Sequence, residues 1–235
     1  MENELDCLLE GEVIDLEKLR KMVRGMVINP KKRYKVWKVF LGITPPLKNQ
    51  RELRHYELEK EYKNYLSKYM QNMINPKKEE EEEEKLRHQI TIDCKRTTIM
   101  EYAKVMNKKE IQNILFRVLY LTTKSNESMG YFQGLNDILS KLVFCYLYEY
   151  IEDIQSFNDS PSIQLCEMDL FTLEMNSFFS LKKMLEWIFR IYSIDKGSVY
   201  ARDMLQDIQT ITKTNSRKKK ILFHPFFFIN YYFLI

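Results

Sequence analysis

Apolar positions recur along this chain mainly at three- and four-residue steps, the spacing that lines up one face of an α-helix. The clearest run is Leu135, Ile138, Leu139, Leu142, Val143, Tyr146, Leu147 and Tyr150. Upstream, Ile111, Leu115, Val118 and Leu119 mark a second helical face. Tyr62, Leu66, Tyr69 and Met73 mark a third, inside the charged, tyrosine-rich stretch 47–74. Residues 169–192 return to the pattern with Phe171, Met175, Phe178, Phe179, Leu185, Ile188 and Phe189. Val36, Trp37, Val39, Phe40 and Leu41 form a compact apolar segment ahead of Gly42 and the pair Pro45-Pro46. It predicts a short buried helix stopped by proline, with Trp37 in the core. Residues 1–20 read as an acidic lead-in with a weak helix, 124–134 as a break, and 151–168 as a polar loop. The pattern predicts an all-α protein.

Composition narrows this picture. The 235 residues are 45% hydrophobic and 30% charged, which suits one globular domain with some decoration. Six Gly and six Pro are too few for a β-sandwich or barrel built on many tight turns. The net charge of +4 is spread over 37 basic and 33 acidic residues, interleaved rather than clustered, which argues against nucleic acid as a partner. Cys7, Cys94, Cys145 and Cys166 lie far apart, with no C-x-x-C pair and no histidine at ligand spacing. Neither a zinc site nor a disulfide framework is expected, and a reducing cytosol is the simplest setting. The acidic N-terminus lacks the basic-then-apolar order of a signal peptide.

Two segments depart from the helical pattern. In NPKKEEEEEEKLRHQ, six consecutive glutamates repel one another, and the segment 77–85 is read as an acidic low-complexity insert, a solvated loop or frayed helix end. From 213 the chain runs into TNSRKKKILFHPFFFINYYFLI. Its apolar part, 15 residues broken by His224, Pro225 and Asn230, is shorter than the roughly 20 that span a bilayer. Behind Arg217–Lys220 this tail is read either as a peripheral membrane contact through 217–235 or as an aberrant chain end. The expected organisation is a lead-in over 1–20, a domain over 21–212 and a tail over 213–235.

Two short stretches carry candidate chemistry. In QITIDCKRT (89–97), an aspartate and an arginine three residues apart can pair locally for only ~0.3–0.5 kcal/mol. In GYFQGLNDI (130–138), Gly134 permits a close backbone approach, and Asn136 or Asp137 can satisfy the unpaired amides of a helix's first turn. Each alone is also what an ordinary turn and cap look like.

Together, with 37 residues from Arg96 to Gln133 and one apolar helix between them, they resemble the two signatures of the TBC domain of Rab GTPase-activating proteins. Ile-x-x-Asp-x-x-Arg-Thr is matched by Ile90, Asp93, Arg96 and Thr97. Tyr-x-Gln-Gly is matched by Tyr131, Gln133 and Gly134, extended by Asn136. An earlier family feature is matched by Arg33, Val36, Trp37, Lys38, Phe40, Leu41 and Gly42, and the later Glu-x-x-x-Phe helix by Glu174 and Phe178.

The resemblance implies an all-α fold of two helical lobes, with the first complete here and the second partial, and a GTPase activator that is not itself an enzyme. Arg96 is then an arginine finger delivered in trans, and Gln133 a glutamine finger that positions the attacking water. Asp93 is expected to hold Arg96 in an aimed rotamer, Thr97 to cap the following helix, Gly134 to keep the backbone clear of the partner, and Lys95 to face solvent or partner. No cofactor of its own is implied, since a GTP-bound Rab brings both GTP and Mg²⁺. The implied setting is the cytoplasm, or the periphery of endomembranes, in vesicle trafficking.

The chain departs from the family late. A Trp-Asp pair near the end of the second lobe has no counterpart, since Trp187 is followed by Ile188 and no tryptophan lies beyond. The second lobe is therefore expected to be abbreviated, truncated or completed by another protein. The competing readings are a non-catalytic scaffold that binds a GTPase or effector, and an unrelated helical interaction protein anchored by its tail.

Overall fold

A computed structural model describes residues 2–25, 27–74, 81–99, 102–126, 130–160 and 165–192. All regular secondary structure among the described residues is helical apart from isolated bridge positions at Val13 and Leu47. The chain divides into two compact units, residues 1–28 with 182–235, and residues 29–181.

In the first unit, helices α1 (Glu2–Glu10) and α2 (Leu16–Gly25) replace the weakly helical lead-in expected from the sequence. Asp15 begins α2: its carboxylate accepts the Lys18 amide at 2.9 Å and its carbonyl the Leu19 amide. Leu5, Leu9, Leu19 and Val23 are buried at helical spacing. That periodicity was diluted in the sequence by the acidic residues between them. The expected tail 213–235 lies outside the described residues, as does the side chain of Trp187.

The second unit opens with α3 (Pro30–Phe40). Asn29 caps it by accepting the Lys31 amide at 3.0 Å, and Pro30 sits at the first position, where a missing N–H costs nothing. Of the expected stops, Gly42 and the pair Pro45-Pro46, the glycine acts first. Gly42 takes a φ of 75° and donates to Val39, while the Ile43 amide reaches back to the Lys38 carbonyl at 2.8 Å. These two bonds close the helix at Phe40, five residues before Pro45. Val36, Trp37 and Val39 are buried as expected.

A 3-10 turn at Lys48–Gln50 leads into α4 (Arg51–Ile74), which buries Leu58 and Tyr62. Residues 75–80, and with them the start of the expected acidic insert, lie outside the described residues. The glutamates that follow are not a loop: Glu81–Glu84 form the first turn of α5 (Glu81–Arg96). Negative charge there faces the positive end of the helix dipole, and Lys95 and Arg96 in the last turn face the negative end. The run therefore starts a helix instead of fraying one.

After α6 (Ala103–Met106), α7 (Lys109–Lys124) packs against α4, α5, α6 and α8. Its residues from Val118 to Thr123 are buried without a break, so α7 is enclosed on every side along its second half. Helix α8 (Leu135–Leu147) lies against α7 and α3. The expected 151–168 loop contains a short helix, α9 (Ile154–Asp159), capped by Asp153, whose carboxylate accepts the amides of Gln155 and Ser156. It packs on α6, where Asn158 accepts the Val105 amide at 3.2 Å. Helix α10 (Glu167–Tyr192) contributes Phe178 and Phe179, which surround the Tyr62 ring at 5.3 and 6.4 Å.

Candidate functional site

The arginine of the first motif sits at the last residue of α5 because of what its neighbours bury. Ile90, Asp93, Cys94 and Thr97 occupy steps 0, 3, 4 and 7, one helical stripe, and all four are buried. Lys95 and Arg96 fall off that stripe and are exposed. Among the described residues, Arg96 makes no hydrogen bond or ion pair. The aspartate inside the stripe disguised this segment as something other than a helix face.

No hydrogen bond or ion pair joins the Arg96 side chain to Asp93, which the resemblance implies holds its rotamer. Its carboxylate accepts the Tyr131 hydroxyl at 2.7 Å, across from the second motif. Burial and this bond to an anion together push the Tyr131 phenol well above its ordinary range. Burial, aided by the Asp93 charge, also lifts the neighbouring Cys94 thiol to about 12, so it stays a protonated core group.

Thr97 is not the cap of the next helix either. Helix α6 starts from Tyr102 with no side-chain cap, and the Thr97 hydroxyl instead donates to the Asp93 carbonyl at 2.7 Å. The same oxygen accepts from Asn136 Nδ2 at 2.9 Å. Both partners are buried, Thr97 at 2% and Asn136 at 7% exposure, so this bond is shielded from competition by water.

The second motif forms the entry to α8. Gly134 is the residue before the helix, with a φ of 102°, a conformation that carries a steric penalty for any residue with a Cβ. A Cβ placed there would meet nothing within 4 Å, so the chain itself needs the glycine for its backbone angle and not for space. Asn136 Oδ1 accepts the Gly134 amide at 3.2 Å, and the Gly134 carbonyl accepts the amides of Asp137 and Ile138. Gln133 and Phe132, on the turn between Tyr131 and Gly134, are exposed. Gln133, like Arg96, makes no hydrogen bond among the described residues.

The result is two crossed ties. Tyr131 is bound to Asp93, and Asn136 to Thr97, and these four residues bracket both exposed side chains. Arg96 adjoins Thr97, and Gln133 lies between Tyr131 and Asn136. The end of α5 and the start of α8 are thereby held together beneath an arginine and a glutamine that nothing in the described chain engages. An exposed cation with five donors and an exposed amide with both donor and acceptor, each next to a tied residue, suit an anionic or phosphorylated ligand brought from outside.

One further residue in this region carried no signal in the sequence. Gln112, on α7, donates from Nε2 to the Cys94 carbonyl at 3.1 Å and to the Met106 carbonyl at 2.7 Å. Its position beside the buried Ile111 was the only available hint.

This geometry stands beside clear relatives. The profile of the Rab-GTPase-TBC domain matches residues 30–196. TBC1 domain family member 22B of Homo sapiens is 27% identical over 183 residues, covering 77% of this chain and 34% of that protein. The GTPase-activating protein GYP1 of Saccharomyces cerevisiae is 29% identical over 158 residues, covering 65% of this chain and 23% of that protein. The chain thus spans about a third or less of the length of these curated relatives. In three dimensions it resembles the crystal structure of the Ypt/Rab-GAP domain of Gyp1p with a TM-score of 0.67 at 23% identity, covering 89% of this chain and 69% of that one. With both motifs inside the matched span and the helical fold shared, the chain belongs to the Rab-GTPase-TBC domain family.

Proposed function

We propose that this protein is a GTPase-activating protein for a Rab-family small GTPase, working on the GTP-bound form. The observation that carries the reading is the pair of exposed, unengaged side chains, Arg96 and Gln133, presented from backbone tied by the Tyr131–Asp93 and Asn136–Thr97 bonds. Hydrolysis of GTP builds negative charge on the transferring phosphoryl group and the leaving oxygen. A guanidinium placed there stabilises that charge, and an arginine supplied in trans is worth about 10³–10⁵ in rate. Arg96 is suited to this because it is always charged and its donors match phosphate oxygens.

Gln133 orients the attacking water through its carboxamide, which accepts from the water while donating to a phosphate oxygen or backbone carbonyl. Asp93, Thr97, Tyr131 and Asn136 hold the two donors in register, and Gly134 lets the partner approach the turn. The nucleotide site belongs to the GTPase, which brings GTP and Mg²⁺. This chain contributes side chains and no cofactor of its own. The setting is vesicle trafficking, on the cytoplasmic face of endomembranes. Among the described residues no helix is long and apolar enough to cross a membrane. Residues 217–235, as a peripheral contact, lie outside that description.

The test is single-turnover GTP hydrolysis by a panel of Rab proteins, with wild type, Arg96→Ala and Gln133→Ala in parallel. At least one Rab is accelerated ~10³-fold or more by wild type, and each substitution removes most of that gain. A folded, monodisperse protein that binds GTP-loaded Rab without accelerating any of them replaces this reading with a non-catalytic scaffold.

A further inference from the structure

We propose that Gln112 is a positioning residue for Arg96, acting as a staple across the segment that carries it. The proposal rests on the GTPase-activating reading and adds a residue that lies outside both motifs. Helix α5 ends at Arg96, and its last carbonyls have no partners within the helix. The Asp93 carbonyl takes the Thr97 hydroxyl, and the Cys94 carbonyl takes the Thr97 amide at 3.1 Å. The second acceptor position of the Cys94 carbonyl is filled by Gln112 Nε2, from another helix.

The same nitrogen also donates to the carbonyl of Met106, the last residue of α6. One carboxamide thus binds the chain at Cys94 and again at Met106, and Arg96 lies on the segment so closed. Both bonds are partly buried, and Met106 is fully enclosed. Gln112 is fixed in turn by its place on α7, where its amide bonds the Lys108 carbonyl at 2.9 Å. Helix α7 packs directly against α5 and leads to the 130–134 turn that presents Gln133.

An arginine side chain that must meet a phosphoryl group loses rate steeply when its base shifts, about 10²-fold for 1 Å in a well-oriented site. The crossed ties from Tyr131 and Asn136 fix the Arg96 base relative to α8. Gln112 fixes it relative to α7 and α6, an anchor the crossed ties do not supply.

The experiment compares Gln112→Met, which keeps the length but removes both donated bonds, with Gln112→Glu, which keeps the shape but cannot donate. Each is made in wild type and in Arg96→Ala. Single-turnover hydrolysis is measured on a responsive Rab across activator concentrations, with amide exchange of Thr97 and the melting temperature recorded for each protein. Both variants are expected to lower the maximal rate roughly ten- to a hundredfold, with the half-saturating concentration within about twofold of wild type and with Thr97 exchange accelerated. In the Arg96→Ala background neither adds a further rate loss, because the side chain they position is gone. A loss of the same size in that background, or an unchanged maximal rate with faster Thr97 exchange, overturns the role of Gln112 and leaves the GTPase-activating reading standing. A wild type that accelerates no Rab brings down that reading, and this role of Gln112 with it.

Discussion

Two regions of residues 29–181 solve the same problem with the same residue types and opposite outcomes. At one, buried Asp93 accepts the hydroxyl of Tyr131. At the other, buried Glu174 accepts the hydroxyl of Tyr62 at 2.5 Å. Each carboxylate also has an arginine in its neighbourhood. Arg117 closes on Glu174 with both arms of its fork, Nε to Oε1 at 2.8 Å and Nη2 to Oε2. That cluster is complete, and its arginine is used up in holding α4, α7 and α10 together. The hydrogen bond and charge of Glu174 outweigh the cost of partial burial and raise the Arg117 guanidinium above its ordinary range. Arg96, three residues beyond Asp93, is left outside with no partner among the described residues. The difference shows what separates a structural arginine from one available for chemistry. It is not the nearness of an acid in sequence but whether the fold brings the guanidinium onto the acid: Glu174 Oε1 takes Tyr62 and Arg117 together, whereas Asp93 takes Tyr131 and no bond joins it to Arg96.

The comparison breaks most sharply if the two arginines are removed in turn. Arg96→Ala is expected to cut Rab GTP hydrolysis about 10³-fold or more while leaving the melting temperature essentially unchanged, since the side chain is exposed and makes no hydrogen bond or ion pair among the described residues. Arg117→Met is expected to cost about 2–4 kcal/mol in urea denaturation, because Glu174 stays buried with its charge uncompensated. Arg117 is itself about a third exposed, which keeps the cost below that of a wholly buried pair. Equal stability losses for the two variants would erase the distinction drawn between them.

Removing the tyrosine hydroxyls sharpens it. Tyr131→Phe removes the hydroxyl that donates to the buried Asp93 carboxylate and should cost about 1–3 kcal/mol, whereas Tyr62→Phe leaves Glu174 still held by Arg117 and should cost only about 0.5–1.5 kcal/mol. Denaturant midpoints for the two variants, at matched slopes, decide the order. Gly134→Ala falls near the middle of that range, about 1–2 kcal/mol, and entirely through backbone strain, because the added methyl has free space. A crystal structure or amide exchange of that variant should show the α8 entry disturbed and the Glu174 cluster intact.

The smallest effect concerns a third carboxylate, on the half-exposed edge between α5 and α7. Burial raises the Glu83 pKa, but hydrogen bonds from Lys124 and Tyr120 and the Lys124 charge outweigh it, leaving the group below its ordinary value of 4.5. A depressed folded pKa means the stabilisation is fully present above 4.5 and is lost as pH falls from there through the folded value. Glu83→Gln should therefore lower stability by about 0.2–1 kcal/mol at neutral pH, and the gap to wild type should close in acid-titrated melts as pH falls from 4.5 through the depressed folded value.

Much of this protein was written in local pattern. The three- and four-residue periodicities at 111–119 and 135–147 marked α7 and α8, since a helix that buries one face must repeat its apolar residues with the helical turn. The two motifs, each an ordinary turn or cap by its residue types alone, singled out Arg96 and Gln133 through their joint resemblance to the TBC signatures. Other features were not legible for specific physical reasons. The stripe beside Arg96 hid itself because two of its four buried positions, Asp93 on the helix and Thr97 just past its end, are polar and become core residues only when Tyr131 and Asn136 arrive to satisfy them. The glutamate run read as repulsion, and its role as a helix start depends on a dipole and on Lys124, 41 residues away from Glu83.

The sequence alone determined that the chain is helical, where its strongest helices run and which residue types sit beside its two motifs. These depend on periodicity, capping chemistry and glycine's freedom at positive φ, all of which act over a few residues. Only the tertiary structure decided which acids pair with which tyrosines, which arginine is consumed and which is left outward, and that Gln112 bridges two helix ends. Those outcomes depend on long-range hydrogen bonds between groups that burial makes costly to leave unpaired, and no local pattern specifies the partner.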